Sequence, residues 1–269
     1  TAVAAGNFTL LAAALDAAGL TDVLRGEGPF TVFAPSDEAI TATLEALQVT
    51  PEEFLAREDL QTILLYHVIG ESVASNDLEA AQVVTTAAEL SAVVTAAETG
   101  VMINGAATVT TADIAASNGV IHVIDSVLLP ATIVDLAVAY PDFNTLVAAA
   151  DAAELVEALS GPGPFTVFAP TDDAFTAAIA ALMTTAEELL AREDLAAILT
   201  YHAVAGSVLA GDLDAGEQTV PTVAGPSLTI DVTDEGVTVD GANVLMTDIV
   251  GTNGVIHVID GVLLPPAGE

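Results

Sequence analysis

The residues able to do chemistry in this chain are few, and the sharpest group lies in a stretch written twice. Residues 117–130 read Ser-Asn-Gly-Val-Ile-His-Val-Ile-Asp-Ser-Val-Leu-Leu-Pro, and residues 252–265 read Thr-Asn-Gly-Val-Ile-His-Val-Ile-Asp-Gly-Val-Leu-Leu-Pro. His122, Asp125 and Ser126 have the residue types of an acyl-transfer triad, with a hydroxyl nucleophile, an imidazole base and an orienting carboxylate. Strand alternation argues against that reading, because it turns Asp125 away from His122 and Ser126. The second copy has Gly261 where Ser126 stands, and no Gly-x-Ser-x-Gly elbow occurs. No catalytic residue is assigned.

His122 and His257 sit in apolar runs, as metal ligands or bases, or as buried neutral imidazoles hydrogen-bonded to nearby backbone or hydroxyl groups. A metal needs several converging ligands, and each copy has only two histidines with no His-x-His or His-x-x-x-His spacing. His67 and His202 follow Tyr66 and Tyr201 at an expected helix end. These four residues are the candidate partner or ligand contacts. The competing role is capping and core packing, since a histidine near a helix C-terminus interacts well with the dipole. Asp212-Leu-Asp214-Ala-Gly216-Glu217 resembles a fragment of a calcium loop without its full spacing, and reads as an acidic surface turn. No metal and no cofactor is assigned.

Charge bounds the partners. The chain has 269 residues, 38 acidic residues, three arginines (Arg25, Arg57, Arg192) and no lysine, for a net charge of −35. Nucleic-acid binding needs Lys and Arg to displace counterions, so no nucleic-acid partner is expected. Attraction to an anionic membrane is disfavoured on the same ground. Two readings of the acidity remain, a well-solvated surface and adaptation to high salt. No apolar run approaches the roughly 18–20 residues of a membrane span, so no membrane insertion is expected. The chain opens at Thr-Ala-Val without a basic end or signal-peptide core, and reads as a mature product after cleavage or a trimmed chain. Cysteine is absent, which excludes disulfides and thiolate sites.

The elements that position these residues are also duplicated. Phe8 pairs with Phe143, Phe30 with Phe165, Arg57 with Arg192, His67 with His202 and His122 with His257, each 135 positions on. So long a period means two whole domains in tandem, 1–131 and 132–269. The register slips only around 71–112 and 206–247. Ala and Leu predict a helix over 8–18, stopped by Gly19, with a copy at 143–153. Gly28-Pro29 turns into an apolar strand, Phe30-Thr-Val-Phe-Ala. Ser36, or Thr171, then N-caps a helix running to about Leu47 in the first copy. Thr50 with Glu53, and Thr185 with Glu188, form capping boxes. A further helix starts after Arg57 and ends near Tyr66-His67. Strands are expected over 81–86, 90–96, 100–104 and 107–111, with turns at Thr99-Gly100 and Asn104-Gly105. The Asn-Gly of the opening stretch reads as a turn leading into a strand buried on both faces. Helices first and strands second read as α+β. The joint at 130–136 lacks a Gly or Ser tract, so a stiff link is expected.

Gly-Pro-Phe-Thr-Val-Phe-Ala-Pro-Ser-Asp-Glu-Ala-Ile (28–40) and its copy at 163–175 resemble the first signature of the fasciclin domain. The stretches at 119–130 and 254–265 resemble its second, and Tyr66-His67 and Tyr201-His202 its intervening Tyr-His pair. The resemblance covers essentially the whole chain. It implies two tandem α+β domains, each a β-sheet wedge packed beside α-helices. It implies a non-enzymatic protein outside the cytoplasm, at the cell surface or in the periplasm. The implied partners are a cell-surface or matrix protein or a polysaccharide, or other copies of the chain. The alternative it implies is a carrier of a lipophilic small molecule such as a carotenoid. The first copy begins late against this pattern, since Thr1–Ala5 align with Leu136–Tyr140, so part of a leading helix is expected to be missing.

Overall fold

The computed structural model describes residues 7–97 and 100–266. The chain divides into two compact units, Thr1–Ala131 and Thr132–Glu269. The expected turn at Thr99-Gly100 involves Thr99, and the expected truncation involves Thr1–Ala5. Both Thr99 and residues 1–5 lie outside the described residues.

In the first unit the Ala- and Leu-rich run forms α1 (Thr9–Ala17), which ends where Gly19 takes a φ of +68°. A single turn, α2 (Thr21–Leu24), follows. The cis Gly28–Pro29 bond leads into β1 (Phe30–Pro35). The Ser36 hydroxyl accepts the Ala39 N–H at 3.1 Å and starts α3 (Asp37–Leu47). Thr50 and Glu53 close a reciprocal capping box on α4 (Pro51–Leu55). Helix α5 (Leu60–Tyr66) and the two-residue strand β2 (Val68–Ile69) complete the first half.

The second half is a meander of β3 (Ala81–Thr85), β4 (Ser91–Ala97), β5 (Gly100–Ile103), β6 (Ala107–Ala116) and β7 (Gly119–Ile124). The strand order is β2-β1-β7-β6-β5-β4-β3. Among the described residues of this unit only β1 and β7 run parallel, with Phe30 opposite Gly119 and Phe33 opposite His122. Asn104 and Gly105 take φ of 51° and 63°, the two positive values of a primed hairpin turn between β5 and β6. Strand β6 runs five residues past the expected end at 111. Its register shifts around Thr111, where Asp113 takes a φ of 60°, and it then resumes pairing with β7.

The structure corrects the reason for the Asn-Gly pair. A Cβ on Gly119 would lie 1.9 Å from the Phe30 carbonyl oxygen, and one on Gly28 would lie 2.0 Å from that of Asn118. The parallel strand starts therefore touch backbone to backbone, and glycine is needed for the approach. The Asn118 amide donates to the carbonyls of Leu24 and Gly26, both at 2.9 Å, and ties the end of α2 to the sheet.

The second unit repeats this plan. Thr132 and Asp135 cap α6 (Ile133–Ala139), followed by α7 (Asn144–Ala152), α8 (Val156–Ser160), β8 (Phe165–Pro170), α9 (Asp172–Leu182), α10 (Ala186–Leu190) and α11 (Leu195–Tyr201). Strands β9 (Ala203–Ala205), β10 (Gly216–Pro221), β11 (Ser227–Thr233), β12 (Gly236–Val239), β13 (Ala242–Gly251) and β14 (Gly254–Ile259) stand in the order β10-β11-β12-β13-β14-β8-β9. Every residue of β14 is buried, as a strand covered on both faces should be. Among the described residues no single helix is long and apolar enough to cross a membrane.

Candidate functional site: four engaged imidazoles and an apolar cavity

All four histidines are buried, and each imidazole is hydrogen-bonded through both nitrogens to backbone groups. His67 caps α5. Its Nδ1–H donates to the Ile63 carbonyl at 2.7 Å, and its Nε2 accepts the Leu128 N–H at 2.9 Å. His202 repeats this on α11 with Ile198 at 2.8 Å and Leu263 at 2.9 Å. The tautomer is fixed by these partners, since a carbonyl accepts and an amide donates. Burial pushes the pKa of both rings down to about 4, against the pull of the carbonyl on the proton.

His122 and His257 carry the opposite tautomer. The Nε2–H of His122 donates to the Val73 carbonyl at 2.9 Å, and its Nδ1 faces the Asp113 N–H at 3.3 Å. His257 makes the same contacts with Val208 at 2.8 Å and Asp248 at 3.3 Å. Burial lowers the His257 pKa. Each of these rings fastens the β-bulge of its unit to the chain after β2 or β9. Asp125 lies beyond β7, where its carboxylate accepts the Thr108 N–H at 2.7 Å. His122, Asp125 and Ser126 therefore form no relay. Asp212 accepts the Leu209 N–H at 3.1 Å in a surface 3₁₀ turn. Among the described residues no three His, Asp or Glu side chains converge as a metal site.

Tyr66 and Tyr201 are also buried. The Tyr66 hydroxyl donates to the Ser91 carbonyl at 2.7 Å and receives the Asn104 amide at 2.8 Å. Tyr201 instead donates to the Asp240 carboxylate at 2.7 Å, and the Ser227 carbonyl is 3.2 Å away. Burial, the hydrogen bond to Asp240 and the charge of that carboxylate together raise the Tyr201 pKa to about 12. The four candidate contact residues thus lie inside the units, at joints between the last helix, the bulged sheet and the tail after the final strand.

One of them reaches a cavity. In the second unit a space of about 410 Å³ opens between α6, α7, α8 and the β8–β14 pair. Its wall is mainly Ala, Val, Leu and Ile, including Val134, Leu146, Val147, Leu159 and Ile256, and it also includes His202, Asn144 and Asp151. The volume falls within the range of small-molecule pockets. No sequence signal marks this cavity. It depends on short Ala and Val side chains that leave room between helices, and those same residues fill closely packed cores elsewhere.

Comparison with known proteins adds four findings. The family model described as fasciclin domain matches residues 6–130 and 141–265. The protein sll1483 of Synechocystis sp. is 52% identical over 138 residues, 50% of this chain and 74% of that protein. Human periostin is 30% identical over 260 residues, which is 94% of this chain but only 30% of periostin. Among solved structures, a FAS1 domain pair from the insect cell adhesion molecule fasciclin I aligns with a TM-score of 0.58 and 23% identity over 95% of both chains. With both copies matched nearly end to end, and the same buried imidazole joints in each, the chain belongs to the fasciclin-domain family as a tandem pair.

Proposed function

We propose that the chain works by contact, as a non-enzymatic adhesion or matrix-association protein outside the cytoplasm, at the cell surface or in the periplasm. The observation that carries this reading is that both nitrogens of every imidazole are engaged by the chain's own backbone. The histidines hold elements together and leave no free base beside a nucleophile. The aligned domain pair comes from a cell adhesion molecule, which supports the same reading. The partner is a cell-surface or matrix protein, a polysaccharide, or another copy of the chain. Beads coated with the full chain test it. Retention of the beads on extracellular matrix of the source organism, or bead clustering, is expected. Beads that neither cluster nor bind above an albumin control would overturn it.

The cavity of the second unit favours a second reading, a carrier of a lipophilic small molecule such as a carotenoid. Its apolar wall fits a hydrocarbon body, and Asn144 or Asp151 would meet a polar end. Native mass spectrometry of chain isolated from its source separates the two readings. A mass excess of a few hundred daltons over 27.0 kDa is expected of the carrier, and Val147→Trp should remove it. A bare mass leaves adhesion alone.

A further inference from the structure

The two units differ at one sheet edge. Strand β3 ends the order in the first unit, and β10 ends it in the second. In an antiparallel pair, alternate residues turn their N–H and C=O toward the partner strand. Ala96 donates to Ala80 and Thr86 to Leu90, so the even-numbered residues of β3 face β4. Ala81, Val83 and Thr85 therefore present their N–H and C=O to the open side. That side faces β2 across a wedge-shaped gap, closed at one end by the Ala87 N–H donating to the Val68 carbonyl at 2.7 Å. The gap holds about 580 Å³, and Gly70, Glu71 and Asp77 line it opposite β3.

Natural edge strands are commonly blunted by charge or proline. The second unit does this. Thr222 donates to Pro226 as Thr86 donates to Leu90, which places Pro221 where Thr85 stands and Glu217 where Ala81 stands. Pro221 has no N–H to offer at its outward position, and Glu217 adds a charge. In the first unit the strand reads Ala-Gln-Val-Val-Thr, uncharged, without proline and only partly covered. Its outward rungs lie between Glu71 and Asp77 on one side and Glu79 just before the strand.

We propose that the β3 edge of the first unit is a docking site for an extended segment of a partner polypeptide, β-branched in its middle and carrying Lys or Arg at its ends. The backbone rungs select an extended chain, because only a strand pairs with alternate N–H and C=O groups. The carboxylates select its charge, and they oppose a second copy, which carries the same −35. The inference deepens the adhesion reading by naming a surface and a partner chemistry.

The test uses the full chain and the fluorescein-labelled peptide Lys-Val-Thr-Val-Thr-Val-Lys with a C-terminal amide. Binding is read by polarisation at the lowest salt that retains the fold, and amide hydrogen exchange is read at Val83 and Thr85. Micromolar binding with protection of those two amides is expected. Thr85→Pro should weaken binding about tenfold or more with an unchanged melting temperature, since the Thr85 N–H points away from β4 and the second unit folds with proline there. Replacing both peptide lysines by glutamate should weaken binding by a similar factor. The proposal fails if no binding is seen at millimolar peptide, if Thr85→Pro binds as tightly, or if protection falls elsewhere. A dimer in sedimentation that protects Val83 and Thr85 would make a second copy the occupant and overturn the partner assignment. Thr85→Pro beads that still adhere to matrix would refute this edge as the adhesive surface and leave the adhesion reading standing.

Discussion

His67 accepts the N–H of Leu128 at 2.9 Å, and His202 accepts that of Leu263 at the same distance. Each bond ties the chain after the last strand to the end of the last helix, and each needs a neutral ring. Protonation removes the acceptor. The folded pKa of both rings is about 4 against an ordinary 6.5, so the unfolded chain binds protons more readily in between. This contribution to stability is complete above about pH 6.5 and falls as pH drops toward 4. At full effect the loss is on the order of 3 kcal/mol per ring. Histidine Hε1 resonances followed by NMR should show two rings that do not titrate until near pH 4. His67 or His202 titrating near 6.5 would contradict the burial argument.

Gly119 and Gly28 are predicted to be the least replaceable glycines of the first unit. An alanine Cβ at either would overlap a main-chain carbonyl oxygen at 1.9 or 2.0 Å, and neither strand end can move without breaking the parallel ladder. Gly119→Ala should cost about 3 kcal/mol or more, as overpacking against backbone does. Gly105→Ala is the control. Its φ of +63° is unfavourable, but the space around it is open, so about 1 kcal/mol is expected. Urea denaturation of the two variants measures the difference. Equal losses would remove close packing as the reason for glycine in the repeated signature.

These glycines mark where the sequence was legible. Local chemistry was readable, because a cap or turn involves residues a few positions apart. Ser36, Thr50 with Glu53, and Asn104-Gly105 all act where their types placed them. The repeat offset carried each of these to the second copy. What escaped reading depends on distant approach. The need for Gly119 lies at Phe30, the partner of His67 lies at Leu128, and the cavity wall gathers residues from Val134 to Ile256. The bulge that extends β6 is set by pairing to β7 and by His122, and the run from 111 to 116 has Ile114 as its one large apolar residue, too little to announce a strand.

The Tyr201–Asp240 bond predicts a difference between otherwise matched units. Asn104 occupies the equivalent position beside Tyr66, so Asp240→Asn converts the second unit to the pattern of the first. The Tyr201 phenol then loses its charged acceptor, and its pKa should fall from about 12 toward the ordinary 10. The fold should survive, because asparagine tolerates the φ of 47° at that position and its carbonyl still accepts the Thr229 N–H. Ultraviolet titration of tyrosine ionisation checks this. An unchanged curve would mean that burial alone holds the phenol.

Salt dependence follows from how the cations are placed. Arg57 and Arg192 each bind an aspartate two residues on at 2.6 Å, and Arg25 lies 3.6 Å from Asp22. No lysine is present, so the net −35 meets no further side-chain cation. Repulsion among these exposed carboxylates falls as the Debye length shrinks from roughly 10 Å at 0.1 M salt to roughly 3 Å at 1 M. The three arginine pairs weaken over the same range, but exposed pairs contribute little. The melting temperature should therefore rise by roughly 10 °C or more between about 0.1 and 2 M NaCl. Most of the gain should come below about 1 M, where screening saturates. A rise that stays linear to higher salt would instead reflect strengthened apolar burial, and a flat melting temperature would remove surface repulsion as a determinant of stability.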